Sequence, residues 1–286
     1  MISCPECHSI MVMKNGFGHD KVQHYVCKEC KKDFVPLIEN GARVLILDIE
    51  TAPIRAMVWR VWKENISIEQ IKADWFILCW SAKWLNSPDI IGERLTGKEA
   101  LKEDDKRIVK KLWDLFDEAD IIIAHNGWSF DIPKVNSRFI LNGLTPPSPY
   151  RSIDTLKIAQ KKFGFTHNKL DYLAKLFGLD RKLKTDFELW VKCLEGKDES
   201  LQYMLDYNKL DVVILEEVYL KLRGWANSHP NMNMWQSEAG CSNCGSLKLI
   251  HKGHYYTQTG KYKSYQCQEC GAFSRETKKT NISTAR

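Results

Sequence analysis

Two acidic residues, Asp48 and Glu50, stand one residue apart after the apolar run 44–47. A run of Val, Leu and Ile without polar interruption is typical of a strand buried on both faces of a sheet. Because side chains alternate along a strand, both carboxylates should project from one face, at the carboxyl end where open α/β sheets bind ligands. Neighbouring carboxylates repel each other and resist burial, which favours a divalent cation between them. The alternative is a strand that ends in solvent with acidic residues at its tip.

Two further acidic signals follow predicted buried elements. Asp131 comes shortly after the apolar strand predicted at 120–124. Tyr207 and Asp211 lie four residues apart on a predicted helix, so their side chains should project from one face. Asp211 also interrupts an apolar series on that helix, an unfavourable place for an unpaired charge. A surface aspartate or a core tyrosine would explain each residue singly, but the three signals together indicate a shared acidic site.

Cysteines supply a second kind of metal-ligating residue. Eight of the ten form four Cys-x-x-Cys pairs, which are Cys4/Cys7, Cys27/Cys30, Cys241/Cys244 and Cys267/Cys270. The two pairs near each end of the chain can hold one tetrahedral Zn²⁺ with four thiolates, giving two structural zinc ions. A disulfide pair or a redox motif is the alternative. Cys79 and Cys193 have apolar neighbours and are expected to be core thiols.

The cysteine segments also carry signals for nucleic acid. The first, with its Cys-Pro-x-Cys start, resembles the zinc ribbons at the front of insertion-sequence proteins, which bind DNA. The second repeats its layout, and residues 231–286 hold eight basic residues against three Glu. Lys261, Lys263 and Tyr265 lie among further tyrosines there, and cations beside aromatic rings suit contacts to phosphates and bases of a single strand. The alternative is a solvated basic hairpin.

The chain shows no secretory leader and no apolar stretch long enough to span a membrane. We therefore expect a protein of the cytoplasm, in a bacterial or phage-infected cell. Three modules are predicted: a zinc ribbon over 1–40, an α/β domain over 41–230 and a second zinc ribbon with a basic tail over 236–286. In the middle module, strands are predicted at 75–80 and near Ile90, and helices at 102–118, up to Leu141 and at 200–225.

The middle module resembles the DEDD superfamily of 3′-to-5′ exonucleases over about residues 43–225. Asp48 and Glu50 match the first motif of that superfamily, Asp131 matches the second, and Tyr207 with Asp211 matches the third motif of its tyrosine-containing branch, DEDDy. The likeness is greatest to exonuclease domains of family B DNA polymerases and to stand-alone phage exonucleases. The resemblance implies an α/β, ribonuclease H-like fold, in which a mixed sheet is packed against helices.

The resemblance also implies the chemistry. Two Mg²⁺ or Mn²⁺ ions would be held by the four carboxylates, with Asp48 bridging them, Glu50 and Asp211 on the first ion and Asp131 supporting the second. Tyr207 would orient the attacking water. Grip on the terminal nucleotide is assigned more weakly to Thr51, Asn126 and Trp128. The expected substrate is nucleic acid, with DNA favoured, that has an accessible 3′ end, and a replication or repair protein is a candidate partner.

Two other classes of protein fit part of the pattern. A transposase, an integrase or a structure-specific nuclease of the same broad fold would suit the first ribbon, although a transposase or integrase needs one Asp on the first strand and a late Glu. A binding protein without catalysis would retain the acidic residues as a remnant. Strand-transfer and nuclease assays distinguish these classes.

Overall fold

The structure is a computed structural model that describes residues 4, 6–7, 9–17, 23–34, 41–179, 183 and 185–282. Parts of both predicted terminal modules thus lie outside the described residues. The first module is a small antiparallel sheet in which the second strand lies in the centre. Its strands are β1 (Val12–Phe17), β2 (Gln23–Cys27) and β3 (Asp33–Phe34).

The middle module is built on a five-stranded mixed sheet. The strands of this module are β4 (Val44–Thr51), β5 (Arg55–Ala56), β6 (Ile71–Ala73), β7 (Ile77–Trp84), β8 (Ile91–Arg94), β9 (Ile121–Ala124) and β10 (Arg151–Asp154). The five-stranded sheet has the order β10-β9-β4-β7-β8, and β5 pairs with β6 in a separate hairpin. Strand β4 is central, parallel to β9 and antiparallel to β7. The side chains on both faces of β4 are buried, which explains its uninterrupted apolar sequence.

Helices cover both faces of this sheet. They are α1 (Gly97–Lys102), α2 (Lys106–Glu118), α3 (Asp131–Leu141), α4 (Thr155–Lys162), α5 (Leu170–Leu176), α6 (Phe187–Leu194) and α7 (Asp198–Leu222). Leu45, Leu47 and Ile49 of β4 pack in a core with α2 and α3, whereas Val44 and Ile46 pack in a second core with the later turns of α7. Asp48 and Glu50 have the same parity as Val44 and Ile46, so alternation along β4 directs them toward α7.

The helix predicted at 102–118 is interrupted in the structure. The chain turns at Glu103, whose φ of 57° ends α1, and α2 begins only at Lys106. The interruption lets Asp105 turn into the core, where its carboxylate accepts hydrogen bonds from the Ile77 amide at 3.0 Å and from the Arg138 guanidinium at 2.6 Å. A buried, satisfied carboxylate here joins α2, α3 and the start of β7.

A buried ion pair joins the sheet to α7. Lys83 of β7 and Glu216 of α7 are both shielded from solvent and form a direct salt bridge. The second carboxylate oxygen of Glu216 accepts a hydrogen bond from the Asn86 amide at 2.8 Å. Each carboxylate oxygen of Glu216 therefore has a partner, Lys83 for one and the Asn86 amide for the other, as a buried charge requires.

The last module packs against the end of α7. Its strands are β11 (Leu249–Thr257), β12 (Gly260–Cys267), β13 (Phe273–Arg275) and β14 (Asn281–Ile282). The Asn243 amide group donates hydrogen bonds to the carbonyls of Arg223 at 2.8 Å and Ala226 at 3.0 Å. A Cβ on Gly224 would lie 2.0 Å from the Cys270 carbonyl oxygen, so the approach of the two modules requires glycine there. Among the described residues, no helix is both long and apolar enough to cross a membrane.

Candidate active site

Three of the predicted acidic residues meet at one point between β4 and α7. Carboxylate oxygens of Asp48, Glu50 and Asp211 all lie within 4.8 Å of one another. The alternation of β4 presents the first two, and the buried face of α7 presents Asp211, which is 8% exposed. The predicted convergence of the first and third signals is thus found in the structure. Strand β4 runs on to Thr51, so the carboxylates lie within its last half and not beyond its end.

The electrostatics of this group favour a cation. Burial, then the charge of Asp131, raises the pKa of Asp48 well above its usual range. Burial and the charge of Asp211 raise the pKa of Glu50 to about 8. Like charges in a shielded site ionise together only if a positive charge compensates them. The donor atoms are oxygens alone, the ligand type that Mg²⁺ and Mn²⁺ prefer, so the residues fit a hard divalent cation.

Asp131 lies beside this group, outside its most compact part. It is the first residue of α3 and is buried, and its carboxylate accepts a hydrogen bond from the Ile49 amide at 3.2 Å. Burial raises its pKa to about 7. Because Ile49 lies between Asp48 and Glu50, this bond ties the start of α3 to the strand that carries both acids.

Tyr207 lies one turn before Asp211 on α7, as its spacing predicted. The phenol is hydrogen-bonded to the Asp211 carboxylate, and burial, followed by the charge of Asp211, raises the pKa of Tyr207 above its ordinary value. The phenol therefore keeps its proton at neutral pH and can donate a hydrogen bond, but it cannot act as a strong base.

Asn208 is a site residue that the sequence reasoning missed. Its side chain is fully buried, and its amide nitrogen donates to Asp48 Oδ2 at 2.6 Å. Its carbonyl oxygen is buried without a hydrogen-bond partner. The available signal was a polar residue three positions before Asp211, on the buried face of α7.

The three residues assigned more weakly to substrate surround the same edge of the sheet. Thr51 ends β4, and its carbonyl accepts a hydrogen bond from the Trp190 indole at 3.2 Å. Asn126 has a φ of 68°, and Trp128 is half exposed. The backbone amides of both donate to the buried carboxylate of Asp154, at 3.0 and 3.2 Å. Asp154 thus shapes the loop that presents Asn126 and Trp128.

Both cysteine groups assemble as the spacing predicted. Each brings four Sγ atoms within 4.8 Å of one another, in the groups Cys4, Cys7, Cys27, Cys30 and Cys241, Cys244, Cys267, Cys270. The nearest Sγ atoms come from different Cys-x-x-Cys pairs and lie 3.4 to 3.6 Å apart, which is too long for a disulfide. These contacts join Cys4 to Cys30, Cys7 to Cys27, Cys241 to Cys270 and Cys244 to Cys267. They approach the ~3.8 Å edge of a thiolate tetrahedron with Zn–S of about 2.3 Å. Four thiolates at these distances fit a closed zinc site. Cys79 and Cys193 are fully buried, as predicted.

The predicted basic face of the second ribbon lies on β12. Lys261, Lys263 and Tyr265 alternate with the buried Tyr262 and Ser264, so the three share one face. Lys261 lies over the exposed ring of Tyr256, with its Nζ 5.9 Å from the ring centroid. The Tyr265 hydroxyl donates to Glu276 at 2.7 Å, which leaves its ring and not its hydroxyl as the available surface.

Comparison with known proteins identifies the middle module. Residues 93–223 match the model of the RNase_H superfamily. The matched segment contains Asp131, Tyr207 and Asp211 and begins after β4. The chain therefore contains a domain of this superfamily, and the expected ribonuclease H-like α/β fold with a mixed sheet is confirmed.

Two larger proteins share similarity with the chain. One is "DNA polymerase III PolC-type" of Ureaplasma parvum, 37% identical over 166 residues that make up 54% of this chain and 11% of that protein. The other is the solved structure of the family B DNA polymerase from the hyperthermophilic archaeon Pyrobaculum calidifontis. That match has 16% identity and a TM-score of 0.47, and it covers 74% of this chain and 29% of the polymerase. The chain thus spans a small fraction of either protein.

Proposed function

We propose that this chain, which contains an RNase H superfamily domain, is a metal-dependent 3′-to-5′ exonuclease that hydrolyses phosphodiester bonds, with DNA favoured over RNA. The observation that carries the proposal is the meeting of Asp48, Glu50 and Asp211 within 4.8 Å, with Asp131 beside them. Carboxylates gathered this closely, with Asp131 and Asp211 buried and Asp48 and Glu50 partly buried, have no structural benefit of their own, because their mutual repulsion opposes folding.

The roles proposed for the acids are those that the resemblance to DEDDy exonucleases implies. Asp48, Glu50 and Asp211 would hold one Mg²⁺ or Mn²⁺ ion, and Asp48 with Asp131 would hold a second. When bound, the two ions would supply Lewis-acid activation of water and neutralise charge on the phosphodiester. Asn208 holds the Asp48 carboxylate in place through its 2.6 Å hydrogen bond. Tyr207 keeps its proton and orients the attacking water.

A nuclease assay with labelled oligonucleotides tests the proposal. With Mg²⁺ or Mn²⁺, a 3′-labelled single strand should release its label as a mononucleotide, and a 5′-labelled strand should shorten stepwise. Matched RNA strands and duplexes define the substrate class. Internal cuts would indicate a structure-specific endonuclease instead, joining to duplex ends would indicate a transposase, and intact substrate at every protein concentration would indicate a binding protein.

Replacing Tyr207 by Phe should slow hydrolysis about 10- to 100-fold without abolishing it, because one hydrogen bond to the attacking water is lost while the metal ligands stay in place. Initial rates on a labelled single strand measure the effect. Tyr203→Phe, one turn earlier on the same face of α7 and more exposed than Tyr207, is the matched control and should act at the wild-type rate. An unchanged rate for Tyr207→Phe would remove the phenol from the mechanism.

Asn208→Ala should weaken binding of the divalent cation about 10- to 100-fold, because partners that orient metal ligands contribute to affinity by this amount. The measurement is the Mn²⁺ concentration that gives half-maximal activity. Gln202→Ala, on the exposed part of the same helix, is the control. If saturating Mn²⁺ does not recover part of the lost rate, Asn208 serves the fold and not the position of Asp48.

The second ribbon should contribute to nucleic-acid affinity through Lys261 and Lys263. Replacing both by Ala should reduce the slope of log affinity against log salt for a single strand by about 1.4, because each phosphate contact contributes about 0.7. Lys248→Ala is the control, since Lys248 is closely paired with Glu269 at 2.5 Å, whereas Lys263 lies 3.9 Å from Glu276. An unaltered slope would assign the ribbon to another role, such as contact with a replication or repair protein.

A further inference from the structure

The hairpin of β5 and β6 carries an exposed apolar surface that the proposed site does not use. We define the flap as residues 53–73. Its large apolar side chains are mostly in solvent, with Trp59 94% and Trp62 81% exposed. The others exposed there are Ile54, Met57, Val58, Val61, Ile66, Ile68 and Ile71. Apolar surface of this extent on a folded chain marks a binding surface.

The flap arises directly at the carboxylate edge of the sheet. Its ends are joined where the Ala52 amide donates to the Phe76 carbonyl at 2.9 Å, and Thr51 pairs with Ile77. Ala52 is only two residues beyond Glu50 in the chain. A ligand that enters the carboxylate site across this edge therefore passes the base of the flap.

Hydrogen bonds hold the exposed tip in a defined shape. The carboxylate of Glu64 accepts from the amides of Trp59 at 3.2 Å and Arg60 at 2.9 Å. Gln70 donates to Glu64 at 3.1 Å and to the Met57 carbonyl at 2.9 Å. The two indoles are thus presented on an ordered backbone, and the charge of Glu64 is directed into the hairpin.

The chemistry of the tip matches a single strand of nucleic acid. The run 59–63 reads Trp-Arg-Val-Trp-Lys, and the flap holds four basic residues against two acidic ones, a net charge of +2. Indole faces stack on bases, and the interleaved cations meet phosphates. At the base, Lys134 Nζ lies 3.6 Å from the centroid of the Trp75 ring, so the combination of ring and cation continues toward α3.

We propose that the flap is a stacking platform that holds the bases of a single strand as its end approaches the carboxylates. The proposal rests on the proposed nuclease function, which is the reason for the end of the strand to lie at the carboxylates. It names single-stranded nucleic acid as the substrate class, since bases must be unpaired and unstacked to lie on the indoles. Duplex ends are then substrates only where they fray.

Binding measured without catalysis tests the platform. In the Asp48→Asn background, with zinc retained and no Mg²⁺ or Mn²⁺ added, the full chain is titrated with a labelled thymidine oligonucleotide and followed by fluorescence anisotropy. The Trp59→Ala/Trp62→Ala double variant should bind about 10- to 100-fold more weakly. Trp59→Phe/Trp62→Phe should retain most of the affinity. Val61→Ala/Ile68→Ala, which removes exposed apolar area without a ring, is the matched control and should bind as the parent does.

An abasic strand of equal length separates stacking from phosphate contacts. The parent should bind it more weakly than the thymidine strand, and this difference should be smaller for the double Trp→Ala variant. Equal affinity of parent and double variant for the thymidine strand would overturn the platform. The platform would also be overturned if the wild-type chain elutes as a dimer in size-exclusion chromatography and the double Trp→Ala variant elutes as a monomer. That result would assign the flap to self-association.

The two proposals fail separately in this design. If the wild-type chain digests labelled strands but the Trp variants bind normally, the platform is wrong and the nuclease function stands. If the Trp variants lose base-dependent binding but no protein digests any strand, the platform stands and the nuclease function is wrong.

Discussion

Replacing Asp48 by Asn should lower hydrolysis of a labelled single strand by about a thousandfold or more, while the fold and zinc content remain intact. Asp48 is the acid on which the others converge: Asp131, Glu50 and Asp211 all raise its pKa. Asn has nearly the same shape and keeps one oxygen, but it removes the negative charge that would help to hold the cations. The effect therefore falls on metal binding and on the chemical step together.

Two measurements make this result specific. Circular dichroism and zinc analysis should be unchanged, because Asp48 lies far in sequence from both cysteine groups and Asn preserves the volume of the side chain. Asp206→Asn, an exposed acid on α7 close to Tyr207, is the matched control and should retain the wild-type rate. Residual activity near wild type in Asp48→Asn would remove Asp48 from the site.

The second large effect that we expect is a decrease in the free energy of unfolding as the pH rises. Without a divalent cation, the folded pKa values are about 8 for Glu50 and about 7 for Asp131, whereas their usual values are 4.5 and 3.8. The folded chain therefore holds these protons more tightly than the unfolded chain. The free energy of unfolding should fall as pH rises from about 4 to about 8, by on the order of 3 kcal/mol or more.

A divalent cation should reverse this trend. It binds the ionised carboxylates, so added Mn²⁺ should raise Tm strongly near pH 8 and little near pH 5. Thermal unfolding with and without Mn²⁺ at the two pH values measures both effects. Asp48→Asn should reduce the pH dependence by the contribution of Asp48 itself, whose pKa is raised by burial and by the neighbouring acids, and it should reduce the Mn²⁺ response. Both changes separate the site from other titrating groups. A Mn²⁺ response of equal size at both pH values would contradict a site of buried acids.

The sequence predicts the core of the site because its signals are local. Alternation along β4 places Asp48 and Glu50 on one face, and the four-residue spacing places Tyr207 beside Asp211. Asn208 escapes such reasoning because an amide within a helix has no distinctive spacing. Its importance follows from where α7 crosses β4, and that crossing depends on packing between distant segments.

Other departures have equally physical causes. The helix predicted at 102–118 is broken because Asp105 is needed in the core, by Ile77 and Arg138. Strand β10 was not predicted, because an edge strand of four residues with polar members has little periodicity. The packing of the second ribbon against the end of α7 could not be predicted either. The residues that Gly224 and Asn243 contact are distant in sequence and are known only from the structure.

The buried pair of Lys83 and Glu216 has a consequence for folding accuracy. A long helix packed on a sheet by aliphatic contacts can slide by one turn at little cost, since one Leu replaces another. A slide of α7 against β7 would strand both charges in an apolar medium, at a cost of several kcal/mol. The pair, little more than one helical turn beyond Asp211, thus disfavours helix positions in which Asp211 would miss Asp48.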